Sequence, residues 1–195
     1  MRYVEGGGTL LVTVRSGMKD EHNRVVFQPL PGLLAPLLGV TVREFSSLPA
    51  GQQYSLTVRE SWGGLELVGD TWAEQLEPEA AEVVATYADG LFAGQAAITW
   101  RQAGEGGAMY LGVMGAQPTA YILDALLART KVRPPVEVDA PRDIEVAVRE
   151  GDGRRLVFLM NYSDQPRAAR FAAGETVELE PYGVRVLKQR MGERG

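Results

Sequence analysis

The sequence predicts an α/β domain followed by a small all-β sandwich, on three observations. First, Arg2-Tyr3-Val4-Glu5 runs into Gly6-Gly7-Gly8 and then at once into Thr9-Leu10-Leu11-Val12-Thr13-Val14. Glycine takes a left-handed helix cap cheaply, and the β-branched, apolar run that follows suits a strand buried on both faces. A helix end, a glycine stop and a buried strand are the middle of an α/β unit, so further elements of that unit are expected ahead of Met1. Second, Pro118 opens a segment in which Ile122, Leu123, Leu126 and Leu127 recur with helical period as far as about Arg129. Third, Arg133-Pro134-Pro135 breaks that pattern, because a residue before proline is pushed to extended conformation, and only strand patterns follow. The domain boundary is therefore expected there, with an α/β domain over 1–133 and a β-sandwich over 134–195.

Within the first domain, Ser16 to Arg24 is polar and reads as a loop. Leu33, Leu34, Leu37 and Leu38 form one helical stripe ended by Gly39, and Pro36 fits only in the first turn of that short helix. Val40 to Phe45 alternates as a strand. Tyr54 to Val58 and Leu65 to Val68 are strands with Gly63-Gly64 between them, and Trp72, Glu74 and Leu76 share one face of a third. Pro78, Glu79 and Ala80 favour a helix start, but Val83, Val84, Thr86 and Tyr87 favour a strand, and strand is the prediction. Ala97 to Trp100 and Ala108 to Val113 form a hairpin around Gly104-Glu105-Gly106-Gly107. In the second domain Ile144 to Val148, Leu156 to Met160, Val177 to Leu179 and Val184 to Leu187 are strands, with turns at Gly151-Asp152-Gly153 and Pro181-Tyr182-Gly183.

Composition narrows the chemistry. The chain has 195 residues, 45% of them apolar, and 20 Lys and Arg against 25 Asp and Glu give a net charge of −5. This acidic balance, without a basic cluster, argues against a nucleic-acid partner. No apolar run reaches the ~20 residues of a membrane helix. Zero cysteines exclude disulfides, a thiolate nucleophile and cysteine-ligated metals, and the single histidine, His22, excludes multi-histidine metal sites. The cysteine-free composition fits the cytoplasm.

No constellation of reactive groups stands out, so no catalytic, cofactor-binding or metal-binding residue is assigned. Ser16 follows a buried strand, where α/β enzymes often place nucleophiles, but the reading as a turn serine outweighs that, and no Gly-x-Ser-x-Gly elbow occurs. His22 lies in Lys19-Asp20-Glu21-His22-Asn23-Arg24, a solvated loop with no second imidazole. A glycosidase needs two facing carboxylates ~5–9.5 Å apart. Glu44, Glu60, Glu66, Asp70 and Glu74 all fall in alternating strands or turns, where solvent-side acids are expected. Neither glycine cluster offers phosphate a helix N-terminus. Trp62 and Trp72 adjoin turns and are candidates for a subunit interface or a sugar contact, against the plainer reading that they are core.

Several stretches together resemble the non-catalytic C-terminal half of bacterial β-galactosidases of glycoside hydrolase family 42. Arg2 to Gly7, Leu11-Val12-Thr13, Ser16-Gly17 and Asp20 to Val25 resemble the strand and following loop of the trimerisation domain in that family. Pro31-Gly32, Leu37 to Val40 and Glu44-Phe45 continue the likeness, as do Trp72-Ala73-Glu74, Ala85-Thr86-Tyr87, Ala93 to Ala97, Gly104 to Gly107 and Tyr110-Leu111-Gly112. Phe158 to Ser163 and Pro181 to Val184 are similar to the small C-terminal β domain of the family. Pro36 departs from the usual pattern.

The resemblance implies a class I glutamine-amidotransferase-like (flavodoxin-like) fold, N-terminally incomplete, followed by the β-sandwich. It implies assembly into a homotrimer, or onto a separate barrel-containing chain. It also implies retaining hydrolysis of β-D-galactosides by a parent enzyme whose catalytic glutamates lie in a (β/α)8 barrel. With no barrel in this sequence, the chain alone is expected to be inactive and to need no cofactor. The alternative is an independent carbohydrate-binding or glycoside-hydrolysing module.

Overall fold

A computed structural model describes residues 1–130 and 132–190 and divides the chain into two compact units that meet between residues 131 and 132. The first begins with a one-turn helix, α1 (Arg2–Glu5), and a strand, β1 (Thr9–Thr13). A long arm leads to a 3-10 turn at Gly32–Leu34 and to α2 (Ala35–Leu38). Pro36 sits in the first turn of α2, and Gly39 ends it with a left-handed φ of 63°. Then come β2 (Val40–Ser47), β3 (Tyr54–Val58), a 3-10 turn at Glu60–Trp62, β4 (Glu66–Gly69), β5 (Trp72–Pro78) and β6 (Glu82–Tyr87). The unit closes with β7 (Ala96–Ala103), β8 (Gly106–Leu111), the short β9 (Val113–Met114) and α3 (Ala116–Arg129).

The strands form one sheet in the order β1-β8-β7-β6-β3-β4, with β5 joining it through β7 and β9 and carrying β2 on its other side. Only β1 and β8 run parallel; every other pairing in the sheet is antiparallel. The first unit is thus mostly β-sheet with a few short helices, not the alternating α/β arrangement that the glycine-stopped helix suggested. The α/β signal is confined to α1, β1 and β8.

β8 is the organising strand, and all six of its residues are buried. Because successive side chains alternate across a strand, Met109 and Leu111 enter one core while Ala108 and Tyr110 enter the other. The first core lies between the sheet and Ile122 and Leu126 of α3; the second is filled by Val4 of α1 and Leu37 and Leu38 of α2. A Cβ at Gly106 would fall 2.1 Å from the Gly8 carbonyl oxygen, so glycine is required where α1 meets the hairpin. β1 packs on both faces, with Leu11 against the first core and Leu10 and Val12 against the second, but only Val12 is fully buried, and among the described residues the strand lies at the sheet edge beside β8. The strand buried on both faces is β8.

α3 departs from expectation too. Of the four residues that marked its apolar stripe, Ile122 and Leu126 are buried, whereas Leu123 and Leu127 are 46% and 53% exposed. The helix therefore carries two apolar faces, and the described residues cover one of them.

The second unit consists of β10 (Val138–Asp139), β11 (Ile144–Gly151), β12 (Arg154–Asn161), β13 (Arg167–Phe171), β14 (Thr176–Leu179) and β15 (Val184–Arg190). They form two three-stranded sheets, β10-β13-β14 and β11-β12-β15, enclosing Val157, Leu159, Ala169, Phe171 and Leu179. β11 and β12 are joined by Asp152-Gly153, both at positive φ, the turn whose twist matches a tight hairpin. Asn161, 3% exposed, ties the turns together: its amide nitrogen donates to the carbonyls of Gln165 (2.7 Å) and Glu180 (2.9 Å), and its oxygen accepts from Ser163. β10 and β13 carry no strand pattern in the sequence.

Candidate functional site

The residue that most contradicts its sequence pattern is Glu74. Expected on the solvent side, it is fully buried on β5. β5 is an interior strand, flanked by β2 and by β7 and β9, and both of its faces are covered at this point, with Ala73 and Glu74 fully buried. A carboxylate held away from water requires donors on both oxygens. Oε1 accepts the Arg15 backbone N–H at 2.9 Å and the Trp72 indole N–H at 3.2 Å, and Oε2 accepts the Tyr110 hydroxyl at 2.7 Å. The short Tyr110 bond is of the charge-assisted kind.

A second tyrosine locks the backbone at the same point. The Tyr87 hydroxyl accepts the Glu74 N–H at 3.1 Å and lies 3.0 and 3.1 Å from the carbonyls of Glu74 and Gly112. Burial, and after it the neighbouring Glu74 charge, pushes the Tyr110 hydroxyl far above the ordinary tyrosine range. Burial does the same to Tyr87. Both phenols therefore stay protonated as donors.

Above this hub lies a ledge. Trp72 is half-buried and stacks on Phe45 of β2, with ring centroids 5.3 Å apart and planes 16° apart. The Arg15 guanidinium also lies over the indole, 4.9 Å from its centroid. Arg15 has a left-handed φ of 62°, and its backbone N–H is the one held by Glu74. Beside the ledge is a shallow cleft of about 790 Å³, lined mainly by the apolar side chains of Val14, Trp72, Met114, Ala120 and Leu123.

The other candidates from the sequence do not join it. Trp62 is 4% exposed; its N–H donates to Glu82 at 3.2 Å, and the Arg129 guanidinium covers its ring at 3.7 Å. His22 is exposed in the arm, with its backbone N–H on the Asp20 carboxylate. Ser16 follows β1 in a turn, with its N–H on the Thr13 carbonyl. Glu44, Glu60, Glu66 and Asp70 are exposed. Asp70 lines the cleft, and its Oδ1 accepts from the Thr71 hydroxyl at 2.9 Å. Glu74 keeps no free oxygen to meet a substrate. The arrangement binds and braces: it fixes a ledge and a cleft, and it does not present two facing acids.

Residues 1–135 match the model of the β-galactosidase trimerisation domain. The chain belongs to that family. Residues 143–189 match the model of the β-galactosidase C-terminal domain. The β-galactosidase LacZ of Heyndrickxia coagulans is 32% identical over 198 residues, covering 95% of this chain and 29% of its own length. The β-galactosidase BgaA of Clostridium cellulovorans is 29% identical, covering 96% and 29%. Among solved structures, the cold-adapted β-galactosidase of Rahnella sp. R3 superposes with a TM-score of 0.84 at 25% identity, covering 97% of this chain and 29% of that one. The β-galactosidase of Bacillus circulans sp. alkalophilus gives 0.80 at 26%, covering 96% and 30%. The chain thus spans about 29% of the length of the curated relatives it matches, and it corresponds to their trimerisation and C-terminal domains, a non-catalytic portion. Among the described residues, no helix is long and apolar enough to cross a membrane.

Proposed function

We propose that this trimerisation-family chain joins the subunits of a β-galactosidase into a trimer and braces a catalytic barrel carried elsewhere, either in the same parent polypeptide or in a separate chain. Hydrolysis of terminal β-D-galactosides belongs to that parent enzyme. The observation that carries the reading is the saturated, buried Glu74 beneath an ordered ledge and cleft. We assign residues 1–133 to assembly and 134–195 to the small C-terminal β domain. The parallel β1–β8 pair, with α1 and α2 on one side of β8 and α3 on the other, supports reading the first unit as part of an amidotransferase-like sheet. The cysteine-free composition fits a cytoplasmic protein. Trp72 serves the interface, whereas the ring of Trp62 is occupied by Arg129.

On this reading the purified chain does not hydrolyse chromogenic β-galactosides. Turnover above the buffer rate that vanishes in Glu74→Gln would overturn it. The stack of half-buried Trp72 on exposed Phe45 favours a second reading, a sugar platform. Titration with galactose or lactose separates the two: assembly predicts unchanged tryptophan fluorescence up to millimolar sugar, and saturable quenching supports the platform.

A further inference from the structure

The irregularities of the first sheet converge on one place. In β2, Arg43 is an extra residue, since Val42 pairs with Leu76 and Glu44 with Gln75. In β6 the extra residue is Val84, between Val83 paired with Thr99 and Ala85 paired with Ile98. In β7 it is Ala97, between Ala96 paired with Thr86 and Ile98 paired with Ala85. β8 accompanies β7 only from Ile98 onward, and at Ala96 β5 takes its place through Leu76. The local strand order is therefore β2-β5-β7-β6-β3. Bulges bend a strand, steepen its twist and re-aim the side chain they carry. Here they surround a groove of about 630 Å³, within the ~300–1,000 Å³ of small-molecule sites.

The lining of this groove differs in chemistry from the cleft beside Trp72. Arg43 and Arg59 come from the outer strand β2 and from the residue just beyond β3, with Gln75, Glu77, Thr86 and Gln95 between them, over the buried Leu76 and Ala96. Arg43 is paired with Glu77. Among the described residues, the side chains of Arg59, Gln75, Thr86 and Gln95 make no hydrogen bond or ion pair. Open donors and acceptors thus stand side by side. The guanidinium donates, the two amides and the hydroxyl both donate and accept, and the Glu77 carboxylate accepts. The centre of a protein interface is depleted of charged groups, so this lining is a poor seat for another chain. An anion would meet the Glu77 carboxylate. Neighbouring hydroxyls, each able to donate and accept, match the mixture.

We propose that the groove holds a hydroxyl-rich ligand, a mono- or disaccharide, through hydrogen bonds from Arg59, Gln75 and Gln95. Its single acid, Glu77, is engaged by Arg43, so the groove binds a sugar without cleaving it. With no aromatic residue in the lining, bound sugar leaves tryptophan fluorescence unchanged. Such a site stands independently of the trimer reading.

Saturation-transfer NMR with lactose tests it. The whole chain is expected to transfer saturation to lactose, levelling off at millimolar sugar. The double variant Arg59→Ala, Gln95→Ala is expected to do so about tenfold more weakly or not at all. Both positions are exposed, so its melting temperature should match the wild type, and Gln75→Ala is a second variant expected to weaken the transfer. No transfer to lactose overturns the proposal, as does transfer that survives in the double variant. Displacement of lactose by inorganic phosphate at constant ionic strength would make the groove an anion site and overturn it too. A monomeric chain, by contrast, removes the trimer reading and leaves this site standing.

Discussion

Replacing Glu74 with alanine is expected to remove a large share of the stability of the first unit. The substitution strands three donors that now meet one carboxylate: the Tyr110 hydroxyl, the Trp72 indole N–H and the Arg15 backbone N–H. It also empties a site with no access to water. Each unsatisfied buried donor costs about 1–3 kcal/mol, and shared relaxation keeps the total on the order of 3–5 kcal/mol. A domain of this size has about 5–15 kcal/mol in all. Glu74→Gln retains the volume and one acceptor oxygen, so about 1–3 kcal/mol is expected. Urea denaturation of the variants checks the order wild type, glutamine, alanine. Equal stability of all three would mean that the hub is not structural.

Alkaline unfolding is the second large effect. Tyr87 and Tyr110 have hydroxyls whose folded-state titration lies far above the ordinary value of 10.0. A raised folded value stabilises the native state fully below the unfolded value and loses that stabilisation as the pH rises. Above pH 10 the unfolded chain releases protons that the folded chain retains, and each such tyrosine costs about 1.4 kcal/mol per pH unit. With two of them, stability should fall by about 3 kcal/mol per unit above pH 10. Tyr87→Phe should remove about half of that slope, although its lost hydrogen bonds lower stability at neutral pH. Urea midpoints between pH 9 and 11.5 read the slope directly, and a flat profile would show that neither phenol is buried in its neutral form.

Much of the fold was legible because local signals and tertiary demand coincided. The glycine stop before Thr9, Pro36 in a first turn with Gly39 behind it, and the β7–β8 hairpin all follow from short-range geometry. β13 escaped because Arg167-Ala168-Ala169-Arg170-Phe171 has little intrinsic strand preference and is held by its sheet partners and by the burial of Ala169 and Phe171. β1 packs both cores but is only partly buried, because a run of apolar residues does not reveal that its strand lies at a sheet edge.

The site was legible only in part. An acid between Trp72 and Leu76 on one strand face was the available sign of burial, since a face with two apolar residues is a poor place for a solvated carboxylate. Its donors, Arg15 and Tyr110, lie 59 and 36 residues away, and nothing local announces them. The four apolar residues of α3 were visible, but a helix with two apolar faces reads the same as one broad stripe until its packing is known.

The central claim is that this chain is a device for assembly. Sedimentation velocity of the purified 21.2 kDa chain at micromolar concentration tests it most directly. The account predicts one boundary at about three chain masses, as a closed ring requires. A single sharp boundary at one chain mass, unchanged on concentration, would contradict it.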